Sequence, residues 1–312
     1  MDTQKLCKTY YFNLMNAKFS FTPKHKFNFI FDKSAVGKSY LVKRMLSLPN
    51  IPDIQAVSGS NVNSFDFMKE TNKLIIIDET ALAYLQLKYD WTSIQKSPNV
   101  FVFIVRYIPT QLSVDYRAIY ELQHKGGNYI LVHKYPYLQE LKSNPNYIVE
   151  DSKSGYQYFC SKLPNVKSAY GKDNIPNLDL ENTTIIADGS AFARIIEVLV
   201  SNGFDISNLF LPESFEGLLI SYNTSNLAKR IYERAYSDAV LDYKSIEEYF
   251  ESTIKLIYKD YKKHTLPKYM YDFDLLNINH CNLTNTILRH YDVNKFNYKE
   301  CEELFNKLSK HS

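Results

Sequence analysis

The sequence predicts an α/β protein, with parallel sheets covered by helices and a helical C-terminal region. Short, almost wholly apolar runs recur at Phe27–Phe31, Leu74–Ile77 and Val100–Val105; they are too short for buried helices and rich in β-branched and aromatic residues. Helical periodicity follows such runs: Leu41, Val42, Met45 and Leu46 share one face, as do Phe192, Ile195, Ile196 and Leu199. Several runs end in a polar loop or in acids, at the strand ends where open α/β sheets place their ligands. Strands buried on both faces and alternating with helices belong to parallel sheets.

Composition bounds the function classes. The 312 residues suffice for two domains of ordinary size, each with its own core. With 45% hydrophobic and 23% charged residues, disorder is excluded over most of the length. A net charge of +3 does not by itself call for nucleic acid, although basic faces are expected locally around Lys24, His25 and Lys26 or around Lys262, Lys263 and His264. The 26 Tyr and 19 Phe reflect either a compositional bias or a base-stacking surface. Cys7, Cys160, Cys281 and Cys301 form no C-x-x-C pair, which argues against zinc and for a reducing compartment. No apolar run approaches the ~20 residues of a membrane span, and no signal-peptide stretch is seen, so a cytoplasmic protein without a membrane partner is expected.

The run Phe27–Phe31 leads into Asp32-Lys33-Ser34-Ala35-Val36-Gly37-Lys38-Ser39, and a helix follows until Pro49. In that order, backbone N–H groups at the helix start surround phosphate oxygens, aided by the helix dipole. Gly37 would let the backbone approach the ligand, Lys38 would reach the terminal phosphates, and the Ser39 hydroxyl would hold Mg²⁺. Asp32 replaces the first glycine of G-x-x-x-x-G-K-[ST]; its charge opposes phosphate, and Lys33 offsets it. About forty residues on, which suits a helix and one intervening segment, Leu74–Ile77 ends in Asp78 and Glu79. That strand resembles a Walker B strand, and the resemblance implies that Asp78 holds Mg²⁺ through water and that Glu79 polarises the attacking water. Together the elements resemble the Walker A and Walker B motifs of P-loop NTPases. The resemblance implies ATP and Mg²⁺ as ligands, with hydrolysis the weaker implication because of Asp32. Val100–Val105 would lie beside the Walker B strand and end at Arg106, either a phosphate sensor or an ordinary surface arginine. This domain is placed at residues 1–143, up to the turn Ser143-Asn144-Pro145-Asn146.

A second pattern then begins. The strand at 147–149 ends in Glu150 and Asp151 before a turn and a helix, and the strand at 183–187 ends in Asp188-Gly189-Ser190 before another helix. In a parallel sheet both acids lie at the carboxyl edge, where two carboxylates suit Mg²⁺. The segment from about Tyr147 to Ile220 resembles the TOPRIM fold of topoisomerases, primases and nucleases of the overcoming-lysogenization-defect type. Glu150 matches that family's first acid and Asp188 the first Asp of its D-x-D motif; Ser190 stands where the second Asp would be, a departure that bears on a two-metal arrangement. Residues 168–174 resemble the turn before the second acidic strand, and Glu213 or Glu216 matches a later acid. The resemblance implies Mg²⁺-dependent phosphodiester cleavage, with Lys153 or Lys172 contacting phosphate. The bland alternative is an ordinary α/β domain whose strands end in solvated acids. This domain is placed at residues 144–224.

Residues 225–312 read as helical. Leu227, Ile231, Ala235 and Val240 mark one face; Ile246, Tyr249, Phe250, Ile254, Ile257 and Tyr258 mark another. Leu288, Tyr291, Phe296, Cys301 and Leu304 point to two further short helices, and His280, Cys281 and His290 lack ligand spacing. The combined expectation is an ATP-gated, Mg²⁺-dependent nuclease with Glu150, Asp188 and Glu79 as catalytic acids, resembling ATPase–TOPRIM fusions of antiviral defence. Its partners would be DNA or RNA, a nucleotide, and a second copy or another protein at the C-terminal helices. The alternatives are a non-catalytic nucleotide-binding sensor or regulatory interaction protein, and a nucleic-acid motor or loader, which needs an arginine finger that the sequence does not display.

Overall fold

In a computed structural model, the described residues are 9–14, 17–31, 37–47, 51, 53–125, 128–136, 138, 141–241 and 245–276. Asp32, Lys33, Cys7 and the expected helices and His/Cys residues beyond 276 lie outside the described residues. The chain is mixed α/β, with a large, mostly parallel sheet and covering helices.

The large sheet contains β1 (Tyr10–Leu14), β2 (Ala17–Phe21), β3 (Phe27–Phe31), β4 (Ile54–Val57), β5 (Leu74–Ile77), β6 (Val100–Val105), β7 (Ile119–Lys125) and β8 (Asn128–His133). Their spatial order is β1-β2-β8-β7-β3-β6-β5-β4. Strands β4, β5, β6, β3 and β7 are mutually parallel, whereas β7–β8 and β1–β2 pair antiparallel. From β3 the chain steps out to β4, works back through β5 and β6, and crosses to β7 on the other side of β3. The carboxyl end of β3 therefore stands at a reversal of strand order.

Strand periodicity distributes the cores. Residues one apart on a strand face opposite sides. Ile30, Ile76, Val102 and Ile104 face Leu41, Val42 and Met45 of α1 (Lys38–Ser47). Phe29, Ile75, Ile77, Phe101 and Phe103 face Ala81, Leu82 and Leu85 of α2 (Glu79–Lys88) and Ile94 of α3 (Trp91–Lys96). Each such buried side chain contributes about 1.5–3 kcal/mol.

The chain enters a second sheet through β9 (Asn146–Val149), β10 (Val166–Ser168), β11 (Thr183–Ile186) and β12 (Leu209–Phe210), ordered β10-β9-β11-β12 and wholly parallel. One face carries α5 (Ala193–Ser201); the other carries α4 (Ser154–Lys162), α6 (Phe215–Tyr222), α7 (Asn226–Leu241) and α8 (Ile246–Ile257). Each sheet has a core of its own on one face, around Ile30, Leu41 and Ile76 in the first and around Val149, Phe159 and Phe250 in the second, and a third core joins the two. One buried cluster runs from Phe29, Phe103 and Tyr116 through Ile148 and Ile185 to Phe192 and Leu211. The reason is local: the segment between β6 and β7 lies directly against the loop after β11.

The basic face expected at Lys24, His25 and Lys26 also needs correction. His25 is buried, and burial lowers its imidazole to about 4. Lys26 is half-buried, donates to the Ser97 carbonyl, and burial lowers its ammonium to about 7. At the other candidate face, Lys262 and His264 are exposed while Lys263 pairs with Glu251 at 2.9 Å.

Candidate functional site

The residues expected to bind nucleotide sit at the carboxyl edge of the first sheet. Gly37 has φ of +91°, a left-handed conformation that favours glycine, and its carbonyl accepts the first helical bond of α1 from Leu41 N at 2.9 Å. Lys38 and Ser39 are the first two residues of α1, half-buried and exposed respectively. Asp78 caps α2: its Oδ1 accepts from Ala81 N at 2.8 Å and from the Thr80 hydroxyl at 2.6 Å. The same hydroxyl accepts from Gly59 N at 2.9 Å, joining the loops after β4 and β5. Glu79 pairs with Arg106 at 2.9 Å, so the arginine at the end of β6 has a carboxylate partner. Because β6 lies between β3 and β5, Asp78 and Ser39 belong to strands two sheet spacings apart, about 10 Å.

The second sheet brings its two expected acids together. Its chain order also reverses: β9 leads outward to β10, and β11 returns to the other side of β9. Glu150 and Asp188 follow the two strands that flank this switch point. Val149 pairs with Ile186, Glu150 N continues the ladder to the Ile186 carbonyl at 2.9 Å, and Asp188 N donates to Glu150 Oε2 at 3.1 Å. The Asp188 carboxylate is held from the far side by Phe215 N, at the start of α6, at 3.0 Å.

Electrostatics make this pair costly. Burial raises the Glu150 carboxyl to about 7, opposed by the Asp188 N–H and Lys172 and reinforced by Glu247 and Asp151. Burial, then the charge of Glu150, raises Asp188 as well, with Glu247, Glu216 and Asp151 adding. Burial also raises Glu216, whose Oε1 accepts from the Tyr261 hydroxyl at 2.7 Å. Asp151 has a structural task at the start of α4, accepting from Tyr156 N at 2.8 Å. Among the described residues, no three His, Cys, Asp or Glu side chains converge as a metal-ligating group.

Of the two later acids that the sequence offered, Glu216 faces the pair electrostatically and Glu213 is engaged elsewhere. Glu213 is buried, accepts from Arg117 at 2.5 Å and from the Tyr232 hydroxyl at 2.7 Å. Arg117 also grips Asp115 through Nε at 2.9 Å and Nη2 at 2.6 Å. Arg117 and Glu213 are 96 residues apart, so no local pattern marks their pairing. Ser190 N bonds the Glu213 carbonyl at 3.3 Å, and the Ser190 hydroxyl is buried with no hydrogen-bond partner. Gly189 is required by close approach: a Cβ there would stand 2.8 Å from the Tyr116 ring and 2.9 Å from the carbonyls of Leu211 and Pro212.

Compared with known protein families, curated proteins and solved structures, the chain gives no match. Among the described residues, no helix is long and apolar enough to cross a membrane.

Proposed function

We propose that the chain is a Mg²⁺-dependent enzyme acting on nucleic-acid phosphodiesters at Glu150 and Asp188, gated by ATP held at the edge of the first sheet. The observation that carries this reading is the juxtaposition of two raised carboxyls at a switch point, bonded through Asp188 N at 3.1 Å. Such a pair gains from a cation, and two carboxylates with water and phosphate oxygens suit Mg²⁺. Glu150 and Asp188 would hold the ion, which when bound neutralises phosphate charge and activates water. Lys172, whose charge acts on Glu150, would donate to a phosphate oxygen. Phe215 N fixes the orientation of Asp188.

A physical route for gating runs through the segment between β6 and β7. It begins at Arg106, which pairs with Glu79, and ends at Arg117, which grips Glu213 two residues before Phe215. Lys38 and Ser39 would contact the nucleotide at the start of α1. The test is cleavage of plasmid DNA and of RNA with Mg²⁺ by the wild type and by Glu150→Gln/Asp188→Asn. Loss of cleavage in the double variant supports the assignment, and equal cleavage overturns it.

A regulatory, non-catalytic nucleotide sensor is the second reading. It is favoured by the engagement of Asp78 as a helix cap and of Glu79 with Arg106, and by Ser190 at the place of a further acid. Titration with labelled ATP separates the two: binding without turnover of ATP or nucleic acid supports the sensor.

A further inference from the structure

The rim of the acidic edge carries an aromatic side chain that the core does not use. Tyr170 is 78% exposed, yet its backbone is firmly placed. Ala169 N bonds the Val149 carbonyl and Gly171 N bonds the Glu150 carbonyl, each at 2.8 Å, so residues 169–171 extend the β10–β9 ladder alongside Glu150. Ser168 Oγ donates to the Asp151 carbonyl at 2.6 Å and accepts from Tyr170 N at 3.0 Å. Asn174 Nδ2 closes the turn on the carbonyls of Ala169 and Tyr170 at 3.0 and 3.3 Å. Within this frame Tyr170 has φ of +56°, the left-handed region that an aromatic residue enters only at a cost. Gly171, directly after it, also has positive φ and open space around its Cβ position. An exposed ring held in a strained backbone beside the acidic edge is better explained by a ligand than by packing.

We propose that Tyr170 is a stacking platform for an unpaired nucleobase, so that the strand reaching Glu150 and Asp188 is presented single-stranded there. The inference rests on the phosphodiester reading above and specifies its substrate class. Lys172, two residues on from Tyr170, acts on Glu150 and would donate to the adjoining phosphate. Base stacking on an aromatic face is sequence-tolerant and works with a cationic groove that tracks the backbone. A continuous duplex keeps its bases stacked on each other and offers none to the ring.

The experiment uses the full chain, with Ca²⁺ in place of Mg²⁺, and oligonucleotides carrying one 2-aminopurine, either single-stranded or fully paired. Affinity is read by anisotropy and stacking by quenching of 2-aminopurine. Wild type and Tyr170→Phe are expected to bind the single strand and quench the probe. Tyr170→Ala and Tyr170→Gly are expected to bind it on the order of tenfold more weakly and to lose the quenching, with no change toward duplex. If the wild type binds the single strand and Tyr170→Gly binds and quenches equally, the stacking role is overturned while the phosphodiester reading stands. If the wild type binds no nucleic acid, both fall.

Discussion

Replacing Arg117 by methionine removes the guanidinium that joins the two sheets and leaves a side chain of similar length. In the wild type, Arg117 makes two bonds to Asp115, at 2.9 and 2.6 Å, and one to Glu213 at 2.5 Å, all buried. After the change Asp115 keeps the Arg117 backbone N–H at 2.8 Å, and Glu213 keeps the Tyr232 hydroxyl at 2.7 Å. Neither residual bond compensates a buried negative charge. Removing one partner of a buried ion pair costs about 3–5 kcal/mol, a large fraction of the ~5–15 kcal/mol that holds a domain together. For a chain of this size that lowers Tm by on the order of 10 °C.

The pH dependence gives the prediction its signature. In the folded wild type, burial opposes the charge of Asp115, but the charges of Arg117 and His25 and the hydrogen bonds from Arg117 outweigh it and hold the carboxyl below its ordinary value. That contribution is present above the unfolded carboxylate pKa of about 4 and is lost as pH falls through the lower folded value. In Arg117→Met the sign reverses, because an unpaired buried carboxyl is raised and its penalty grows with pH. The gap in Tm between wild type and variant should therefore be largest near neutrality and narrow toward pH 4. Thermal melts followed by circular dichroism at several pH values measure it. A gap under 2 °C, or one that does not change with pH, refutes the argument that this triad clamps the sheets.

The acid pair should behave oppositely. The raised Glu150 destabilises the fold as pH rises from 4.5 to about 7, and the raised Asp188 acts in the same direction, so Glu150→Gln should gain up to about 3 kcal/mol at pH 7.5 and nothing near pH 4.5, read by urea unfolding. Mg²⁺ should raise the Tm of the wild type and leave that of Glu150→Gln/Asp188→Asn unmoved; equal shifts would remove the metal assignment. Gly189→Ala places a Cβ 2.8–2.9 Å from Tyr116 and two carbonyls, and should cost about 1–3 kcal/mol while displacing Asp188; a neutral melt contradicts the close approach. Tyr170→Gly relieves a left-handed aromatic and should raise stability by up to about 1 kcal/mol, whereas a structural role for the ring predicts a loss.

What the sequence disclosed was local. Apolar runs and helical periodicity located β3, β5, β6, β9 and β11, because each is buried on both faces and needs no partner to be recognised. The strands β1, β2, β4 and β7 went unseen: their apolar residues are interrupted by polar ones, and β2, β4 and β7 are held in the sheet by neighbours distant in sequence. Glu150 and Asp188 were legible because strand-end acids in parallel neighbours must share an edge. The division of labour between Glu213 and Glu216 was not, since it depends on Arg117 arriving from the other sheet. Lys26 read as a surface charge because burial of a lysine stem leaves no mark in sequence.

The loop at 211–215 ties these features together. Its first residue donates to the Leu138 carbonyl at 2.6 Å, its carbonyls receive Gly189 N at 2.6 Å and Ser190 N at 3.3 Å, and its last N–H holds the Asp188 carboxylate at 3.0 Å. The last of these bonds holds an acid whose own ionisation opposes folding. A strand end that served only stability would carry a neutral residue at 188, with no need for a neighbouring N–H to orient it. The stabilising triad stands at the same loop as the destabilising pair, so strain at the acidic edge is offset where it arises. Displacing Arg117 would therefore first loosen the orientation of Asp188, because the Glu213 that it grips lies two residues from the N–H that aims the carboxylate.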